Sequence, residues 1–283
     1  MKYKILVTGG AGFIGTNLIY NLLEQGHTVH SLDNYITGTV DNEVEGAVYH
    51  TMDIEDIHTI GGKYDIIYHL AALSRIQPSF EFPQETFRVN TSGTQAVLEF
   101  ARQMGAKVVY AGSSSKWHNP YQSPYAAYKY LGEELCKLYR KTYNVKAEIA
   151  RFYNVYGPYE VIDGDYAAVI GIWRRQVRDG EKITIVGDGE QRRDFTHVED
   201  IVQALIKIGM NDIEHEDAWE LGTGMNYSIN EVYKLFKEQF NTKCIYIPDQ
   251  PGNYRVTLRE NNDTLDRLGW TPKDRLKEYI KSL

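Results

Sequence analysis

Tyr125 and Lys129 are the two side chains of this sequence whose types and spacing most directly suggest chemistry. Residues four apart lie on the same face of a helix, so the phenol and the ammonium are expected to be neighbours. A nearby positive charge stabilises a phenolate, which lets a tyrosine act as a base near neutral pH. A hydroxyl-rich run at 112–115 follows the apolar segment 107–111. We expect that run and Tyr125 to meet at the carboxyl edge of a parallel sheet, where such folds bind ligands.

A glycine-rich loop follows the first apolar segment of the chain and opens an amphipathic stretch. Gly9, Gly12 and Gly15 fit the pattern GxxGxxG, and Gly10 in place of Gly9 gives GxGxxG. Glycines at these positions allow a tight turn and the close approach of backbone N–H groups to a pyrophosphate. Asp33 ends the next strand, where a carboxylate accepts hydrogen bonds from an adenosine ribose and repels a 2′-phosphate. The loop and Asp33 therefore predict a dinucleotide site that takes NAD in preference to NADP.

Short apolar segments alternate with helical patterns through the first half of the chain. Strands are expected at 4–8, 28–33, 65–70 and 107–111, and helices at 13–25, 91–104 and 125–143. This alternation is typical of βαβ units, so we predict an α/β protein with a Rossmann-type, doubly wound parallel sheet. Residues 1–155 would form the NAD-binding domain, joined by a returning segment at about 193–224. Residues 156–283 would form mainly a smaller C-terminal α/β domain that binds the substrate, with a helix at 229–240 and a strand at 244–247.

The composition of the chain restricts the classes of function. There are 31 lysines and arginines against 38 aspartates and glutamates, and the net charge of -7 disfavours nucleic acids and anionic membranes as partners. The apolar runs are too short for a membrane span. The cysteines form no CxxC pair and the histidines no metal-ligand motif, so we expect no metal site. The start of the chain has no secretory signal pattern, and we expect a cytoplasmic enzyme.

Several motifs together resemble the extended branch of the short-chain dehydrogenase/reductase superfamily, in particular its NAD-dependent nucleotide-sugar epimerases and dehydratases. The pattern is most similar to that of UDP-glucose 4-epimerases and spans nearly the whole chain. The matching motifs are residues 8–15, Asp33 with Asn34, Asp53 with Ile54, the run His69-Leu70-Ala71-Ala72, residues 90–94, the serine run, Tyr125 with Lys129, residues 151–158 and residues 193–198. Several motifs in the family's order are far more specific than any one of them.

The resemblance implies a role for each matching residue. Ser113 would complete a Ser–Tyr–Lys catalytic triad with Tyr125 and Lys129. The residues expected to contact NAD are Gly9, Gly12, Phe13, Ile14, Gly15, Asp33, Asn34, Asp53, Ile54, Leu70, Ala71, Ala72, Asn90, Tyr125, Lys129 and Phe152. The residues expected to bind the nucleotide sugar are Ser114, Asn154, Arg193 and Arg255. The fixed fork of a guanidinium suits Arg193 to a pyrophosphate. A homodimer formed through the helices at 91–104 and 125–143 is also implied.

Within this family, the residues of the serine run favour a 4-epimerase that works through a transient 4-keto sugar with Tyr125 as base. Related 4,6-dehydratases carry an Asp-Glu pair directly after the triad hydroxyl, where this chain has Ser114 and Ser115. Related 3,5-epimerase/reductases use a Cys–His pair, and neither Cys136 nor Cys244 lies at the matching place. The alternatives are decarboxylation of a nucleotide-linked glucuronate, a dehydratase or oxidoreductase reaction of the family, and NAD binding without catalysis.

The segment between Ser113 and Tyr125 departs from the family pattern. Only 12 positions separate the two residues, fewer than is usual, and the family's Val-Tyr-Gly is missing there. Because this loop frames the sugar, we expect a more open site, with His118 exposed to water. In the C-terminal region Gln250 stands where the family often has a phosphate-binding arginine, and Arg255 is the candidate substitute. Neither the base nor the sugar of the substrate follows from the sequence.

Overall fold

The computed structural model describes all 283 residues, which form one large sheet, two small sheets and the helices around them. The strands are β1 (Lys4–Thr8), β2 (Thr28–Asp33), β3 (Val48–Thr51), β4 (Ile66–His69), β5 (Lys107–Ser113), β6 (Ala147–Phe152), β7 (Asn154–Tyr156), β8 (Ile183–Val186), β9 (Arg192–His197), β10 (Trp219–Leu221), β11 (Asn226–Ser228) and β12 (Cys244–Ile247). The helices are α1 (Phe13–Glu24), α2 (Ile76–Glu81), α3 (Pro83–Phe87), α4 (Gly93–Met104), α5 (Pro124–Tyr143), α6 (Val169–Arg178), α7 (Val198–Met210), α8 (Ile229–Phe240), α9 (Asp263–Leu268) and α10 (Leu276–Ser282). None of these helices has both the length and the apolar character that crossing a membrane requires.

The large sheet has seven strands, all parallel, in the order β10-β6-β5-β4-β1-β2-β3. Parallel neighbours need a crossover that leaves the sheet and returns, and helices supply most of these crossovers on both faces. The order reverses at β1, which has β2 on one side and β4 on the other. The predicted α/β class with a Rossmann-type, doubly wound sheet is confirmed. Ligands of such sheets bind outside the carboxyl ends of the strands at the reversal point.

Two apolar layers cover the faces of the large sheet and fix the positions of its strand ends. One layer packs α1 and α7 against the strands and includes Leu18, Ile201 and Trp219. The other packs α4 and α5 against the opposite face and includes Leu98 and Tyr139. Burying a large aliphatic or aromatic side chain contributes roughly 1.5–3 kcal/mol. The loops at the carboxyl edge are therefore held by a rigid scaffold.

The chain beyond β6 builds the two small sheets and also returns to the large one. In the three-stranded sheet β9 is parallel to β7 and antiparallel to β11, while β8 and β12 form a parallel pair. A third apolar cluster around Trp173 and Phe236 packs α6 and α8 against these strands. Two elements of this part of the chain return to the large sheet. Helix α7 packs into one of its apolar layers, and β10 pairs with β6 at its edge. The division into two domains stays a prediction.

Most of the expected elements lie close to their predicted bounds, and two differences concern the site. β12 and α8 begin and end at the expected residues, and α5 begins at Pro124, one residue early. The helix expected at 91–104 begins only at Gly93, because Arg88–Ser92 forms a π-helical turn before it. β5 continues to Ser113, so the serine run starts inside a strand rather than after it.

Candidate active site

One cleft of about 1020 Å³ opens at the carboxyl ends of β1, β4 and β5 and continues into the C-terminal region. This volume lies at the upper end of the range of roughly 300–1,000 Å³ that is usual for ligand pockets. Most residues that the sequence singled out lie in its wall: Gly9, Gly12, Phe13, Ile14, Gly15, Asp33, Asn34, Ile54, Leu70, Ala71, Ala72, Ser113, Ser114, Tyr125, Lys129, Phe152, Asn154 and Arg193. Asp53, Asn90 and Arg255 do not line it.

The glycine loop has no room for side chains. Gly9 has a φ of +72°, and a Cβ there would lie 2.8 Å from the backbone nitrogen of Ala71. A Cβ on Gly15 would lie 2.1 Å from the carbonyl oxygen of Gly9. Gly12 precedes α1 without a side-chain cap, so the first N–H groups of the helix are free to bind a ligand. Free N–H groups at a helix N-terminus attract anions, and this cradle fits the pyrophosphate of NAD.

Asp33 ends β2 in the same cleft with its carboxylate held in place by backbone groups. The N–H of Ala11 donates to it over 2.9 Å and that of Tyr35 over 2.8 Å. Burial raises the pKa of Asp33, while these hydrogen bonds act in the opposite direction. The neighbouring Asn34 also lines the cleft and donates to Asp53 over 3.2 Å. A fixed, buried acceptor at this strand end fits the ribose of an adenosine.

Asp53 and Asn90 do not line the cleft, and their side chains bind other residues of the protein. The guanidinium of Arg88 lies 2.7 Å from Asp53 and lowers the pKa of that carboxyl. The Asn90 side chain donates to the carbonyl of Leu73 over 2.9 Å and accepts from its N–H over 2.8 Å. Their polar atoms thus already have partners inside the protein, and their contacts with the cofactor stay a prediction. Asn90 instead holds the loop that follows β4.

Tyr125 and Ser113 meet in the cleft. The hydroxyl of Tyr125 donates to Oγ of Ser113 over 3.4 Å, and the N–H of Ser115 donates to the same Oγ over 3.2 Å. Ser123 caps α5 by accepting from the N–H of Ala126 over 3.1 Å, and Pro124 occupies the first helical position. A serine cap followed by proline fixes the start of a helix. The orientation of Tyr125 in the first turn of α5 is therefore set locally.

Lys129 lies one turn further along α5, as its spacing predicts, but its ammonium is bound elsewhere. Nζ donates to the carbonyl of Ala111 over 2.8 Å, and burial lowers the pKa of Lys129 to about 8. Burial also raises the pKa of Tyr125, against the hydrogen bond to Ser113 and the positive charge of Arg75. Burial thus raises the pKa of Tyr125 by more than the hydrogen bond and the nearby charge lower it. The stabilisation of a phenolate by Lys129 stays a prediction.

Arg193 supplies a positive charge that has no carboxylate partner. Its Nη2 donates to Oδ1 of Asn253 over 2.6 Å and its Nη1 to the carbonyl of Arg192 over 2.9 Å. Burial lowers the pKa of Arg193 to about 10. Asn154 lies on the adjacent strand β7 and donates to Oγ1 of Thr257 over 3.0 Å. A buried guanidinium without a counter-ion is costly unless an anion binds to it, which fits the phosphates of a nucleotide.

Arg255 points away from the cleft. It is 63% exposed and its guanidinium pairs with Asp188 at 2.8 Å. The adjacent residues Asn253 and Tyr254 line the cleft instead, together with Gln250. Arg255 stands at a bend directly after these residues, so a single position separates a cleft residue from a surface one.

Two side chains of the short loop after Ser113 contact distant parts of the chain. Nε1 of Trp117 donates to Glu220 over 3.3 Å, and the Trp117 ring lies 5.3 Å from the guanidinium of the buried Arg151. The half-buried His118 stacks on Tyr254 with ring centroids 3.9 Å apart. The expectation of a water-exposed His118 is therefore wrong, and the expectation of a more open site stays a prediction. The reason is the stack of His118 on Tyr254, a contact between residues more than a hundred positions apart, which the local sequence does not reveal.

Arg75 is a cleft residue that the sequence reasoning missed. It lies in the loop that follows β4 and immediately precedes α2. A positive charge in the loop after a strand that ends at the reversal edge is a signal that could have identified it. Glu160 and Tyr254 also line the cleft, and both carry a buried oxygen without a hydrogen-bond partner. Such atoms concentrate where a ligand completes the hydrogen bonding.

Comparisons with known proteins agree with this geometry. The family model described as the NAD dependent epimerase/dehydratase family matches residues 5–222. A UDP-glucose 4-epimerase of Mycolicibacterium smegmatis is 31% identical over 98% of this chain and 96% of its own length. A UDP-N-acetyl-alpha-D-glucosaminuronate decarboxylase of Bacillus cytotoxicus is 30% identical over 88% of this chain and 84% of its own.

A solved structure shares the fold over nearly the same extent. The UDP-glucose 4-epimerase of Thermotoga maritima, crystallised with UDP-glucose, has a TM-score of 0.91 and 30% identity over 98% of this chain and 96% of that one. The matched residues include the glycine loop, the serine run, Tyr125 and Lys129. The chain is a member of the NAD dependent epimerase/dehydratase family.

Proposed function

We propose that this chain is a nucleotide-sugar 4-epimerase. The observation that carries the proposal is that Tyr125 and Ser113 share one cleft with the glycine cradle and with the unpaired cation of Arg193. A nucleotide sugar anchored by its phosphates at Arg193 would bring its sugar ring between Tyr125 and the nicotinamide. NAD, when bound, accepts a hydride from C4 of the sugar and returns it to the opposite face.

The residues of the chain handle the proton and the position of the sugar. Tyr125 takes the proton of the 4-hydroxyl as C4 loses its hydride, and gives it back when the 4-keto sugar is reduced. Ser113 hydrogen-bonds the same oxygen while it is a carbonyl. Arg193 keeps hold of the phosphates while the sugar turns over, which presents its other face to the cofactor. The 4-keto sugar is thus retained by the contacts of Arg193 with its phosphates, which lie at a distance from the reacting carbon.

The side chains beside Ser113 support 4-epimerisation over the dehydratase reaction. Ser114 and Ser115 are hydroxyls, which do not provide the acid and base for eliminating water. Glu160 is a carboxylate in the cleft wall, but it pairs with Arg174 at 3.0 Å. Cys136 is completely buried in the core, so it supplies no thiol to the site.

The test is proton NMR of the purified protein with a panel of UDP-, dTDP- and GDP-linked hexoses. We expect the anomeric signal of a C4 epimer to grow to equilibrium without added cofactor and without absorbance of NADH at 340 nm. Tyr125→Phe is expected to abolish this signal while NAD stays bound. Tyr121→Phe, at a 92% exposed tyrosine in the loop before α5, serves as the matched control. Turnover by Tyr125→Phe would remove that residue from the mechanism.

Decarboxylation of a nucleotide-linked uronic acid is a second candidate, favoured by the cation of Arg75 in the cleft wall. The same NMR experiment with UDP-glucuronate added to the panel distinguishes the two, because decarboxylation yields a nucleotide pentose and carbon dioxide instead of an epimeric sugar.

We also propose a homodimer. The outer face of α5 supports it, because Leu131 and Leu138 lie two helical turns apart and are 41% and 50% exposed. A cytoplasmic location stays a prediction.

A further inference from the structure

Arg75 presents one edge of its guanidinium to the cleft without a partner. Its Nη1 donates to the carbonyl of Ser74 over 2.8 Å. Its Nε is buried and has no hydrogen-bond partner, and Nη2 makes no hydrogen bond. Arg75 forms no ion pair: the carboxylate of Glu160 in the same cleft wall is bound through Oε1 by Arg174 and Tyr279, and its Oε2 has no hydrogen-bond partner. Nε and Nη2 form the side-on fork of an arginine, which matches the two oxygens of a carboxylate.

The position of this fork relative to the reacting groups is fixed. Arg75 precedes the first residue of α2, and Ser79 of that helix accepts a hydrogen bond from the N–H of Tyr125 over 3.1 Å. The helix that carries Arg75 is thus tied to the first turn of the helix that carries the base. Arg75, Tyr125 and Ser115 all line the cleft, and Oγ of Ser115 is a second buried atom without a partner.

These contacts assign Arg75 to the sugar and not to the phosphates. Arg193 carries the charge for the phosphates on a different wall, formed by β9 and the segment around Asn253. The hydroxymethyl group of a neutral hexose would leave the fork of Arg75 desolvated and half satisfied, which is costly. A planar carboxylate on the sugar would occupy both donors and neutralise the charge.

We propose that Arg75 is a specificity-determining residue that binds the carboxylate of a nucleotide-linked uronic acid, an inference that rests on the proposed function. Ser115 would donate to the same carboxylate from the serine run. The preferred substrate is then a nucleoside-diphosphate uronic acid rather than the neutral hexose.

The test measures binding separately from turnover. Calorimetry with UDP-glucuronate and UDP-glucose is carried out on the NAD-loaded Tyr125→Phe protein, which binds without reacting. Adding Arg75→Gln is expected to weaken UDP-glucuronate by about 10- to 100-fold, the value of a lost charge-assisted pair, and UDP-glucose by less than about 3-fold. Arg178→Gln is the control, since Arg178 is half exposed and pairs with Asp163 and Asp179 outside the cleft.

Two results would overturn this assignment. One is that the Tyr125→Phe protein binds UDP-glucuronate and UDP-glucose equally well. The other is that adding Arg75→Gln weakens the binding of both sugars by the same factor, as the loss of a merely structural arginine would. Turnover of the wild-type protein keeps the two proposals apart. If Arg75-dependent binding of the uronate is found but no sugar is epimerised, the proposed function fails and the role of Arg75 stands. If UDP-glucose is epimerised and the uronate binds no better, the reverse holds.

Discussion

His118 lies flat against Tyr254, with ring centroids 3.9 Å apart and ring planes inclined by 8°. His118 belongs to the short loop after Ser113, and Tyr254 belongs to the C-terminal segment that lines the other side of the cleft. Burial and the charge of Arg193 lower the pKa of His118, which favours the neutral form of the ring. The stack therefore joins the loop after Ser113 to the C-terminal segment of the cleft wall.

Replacing His118 with alanine tests whether this stack positions the substrate. A stacked aromatic pair contributes about 0.5–1.5 kcal/mol beyond its buried area, which corresponds to a roughly 2- to 10-fold change in binding. We expect KM for the nucleotide sugar to rise by about that factor while kcat changes little. Tyr121→Ala, in the same loop but 92% exposed, is the control. Equal kinetics for the two variants would show that the stack plays no part in binding.

Arg193→Met is expected to act in opposite directions on stability and on binding. Because burial lowers the pKa of Arg193, its positive charge is disfavoured in the folded protein without ligand. Removing that charge is expected to raise the unfolding temperature of the sugar-free protein by a few degrees and to weaken UDP binding by roughly tenfold or more. Calorimetry and thermal unfolding measure the two effects. The control is Arg255→Gln, which breaks only a surface ion pair and is expected to change UDP binding by less than about twofold. A larger loss of UDP affinity in Arg255→Gln than in Arg193→Met would mean that Arg255, and not Arg193, binds the phosphates.

The pH dependence of turnover reports the ionisation of Tyr125. With UDP-glucose, kcat is expected to rise with pH as the phenol loses its proton. The positive charge of Arg75 lowers the pKa of Tyr125, so removing that charge destabilises the phenolate and raises the pKa. The midpoint of the kcat profile is therefore expected to move to higher pH in Arg75→Gln. An unmoved midpoint would mean that the group that titrates is not Tyr125 or is not sensitive to Arg75.

Asp33→Asn tests the cofactor preference. The N–H groups of Ala11 and Tyr35 donate to different oxygens of Asp33, so asparagine keeps an acceptor for only one of them. It also loses the charge that repels a 2′-phosphate. We expect Asp33→Asn to bind NAD more weakly and its preference for NAD over NADP to narrow by about tenfold. Calorimetry on the cofactor-stripped protein measures both affinities. Asp41→Asn, in an exposed turn nearby, is the matched control. Unchanged affinities for both cofactors in Asp33→Asn would contradict the assignment.

Local patterns were enough to predict the strands of the large sheet that carry the glycine loop and the serine run. Hydrophobic periodicity also predicted α8 and β12, because both are regular elements with clear ends. Hydrophobic periodicity does not predict that β12 pairs with β8, because the two strands are about sixty residues apart in the sequence. The three-residue strands β7, β10 and β11 are too short to show a period.

The limits of prediction in the site have the same origin. Tyr125, Ser113 and the glycine loop are recognised by type and spacing, because their chemistry depends on fixed local geometry. The partners of His118 and Trp117 are distant in sequence, so their contacts follow only from the fold. Arg255 and Tyr254 are adjacent, and only the path of the backbone decides which of them faces the cleft.

The most direct test of 4-epimerisation is the fate of the hydrogen at C4. The wild-type protein is incubated in ordinary water, without added cofactor, with the nucleotide sugar that it turns over, labelled with deuterium at C4. We expect the deuterium to be retained at C4 of the epimer, because the hydride leaves and returns within one bound complex. Loss of the label to water, its appearance in released NADH, or a pentose product would contradict the proposed reaction.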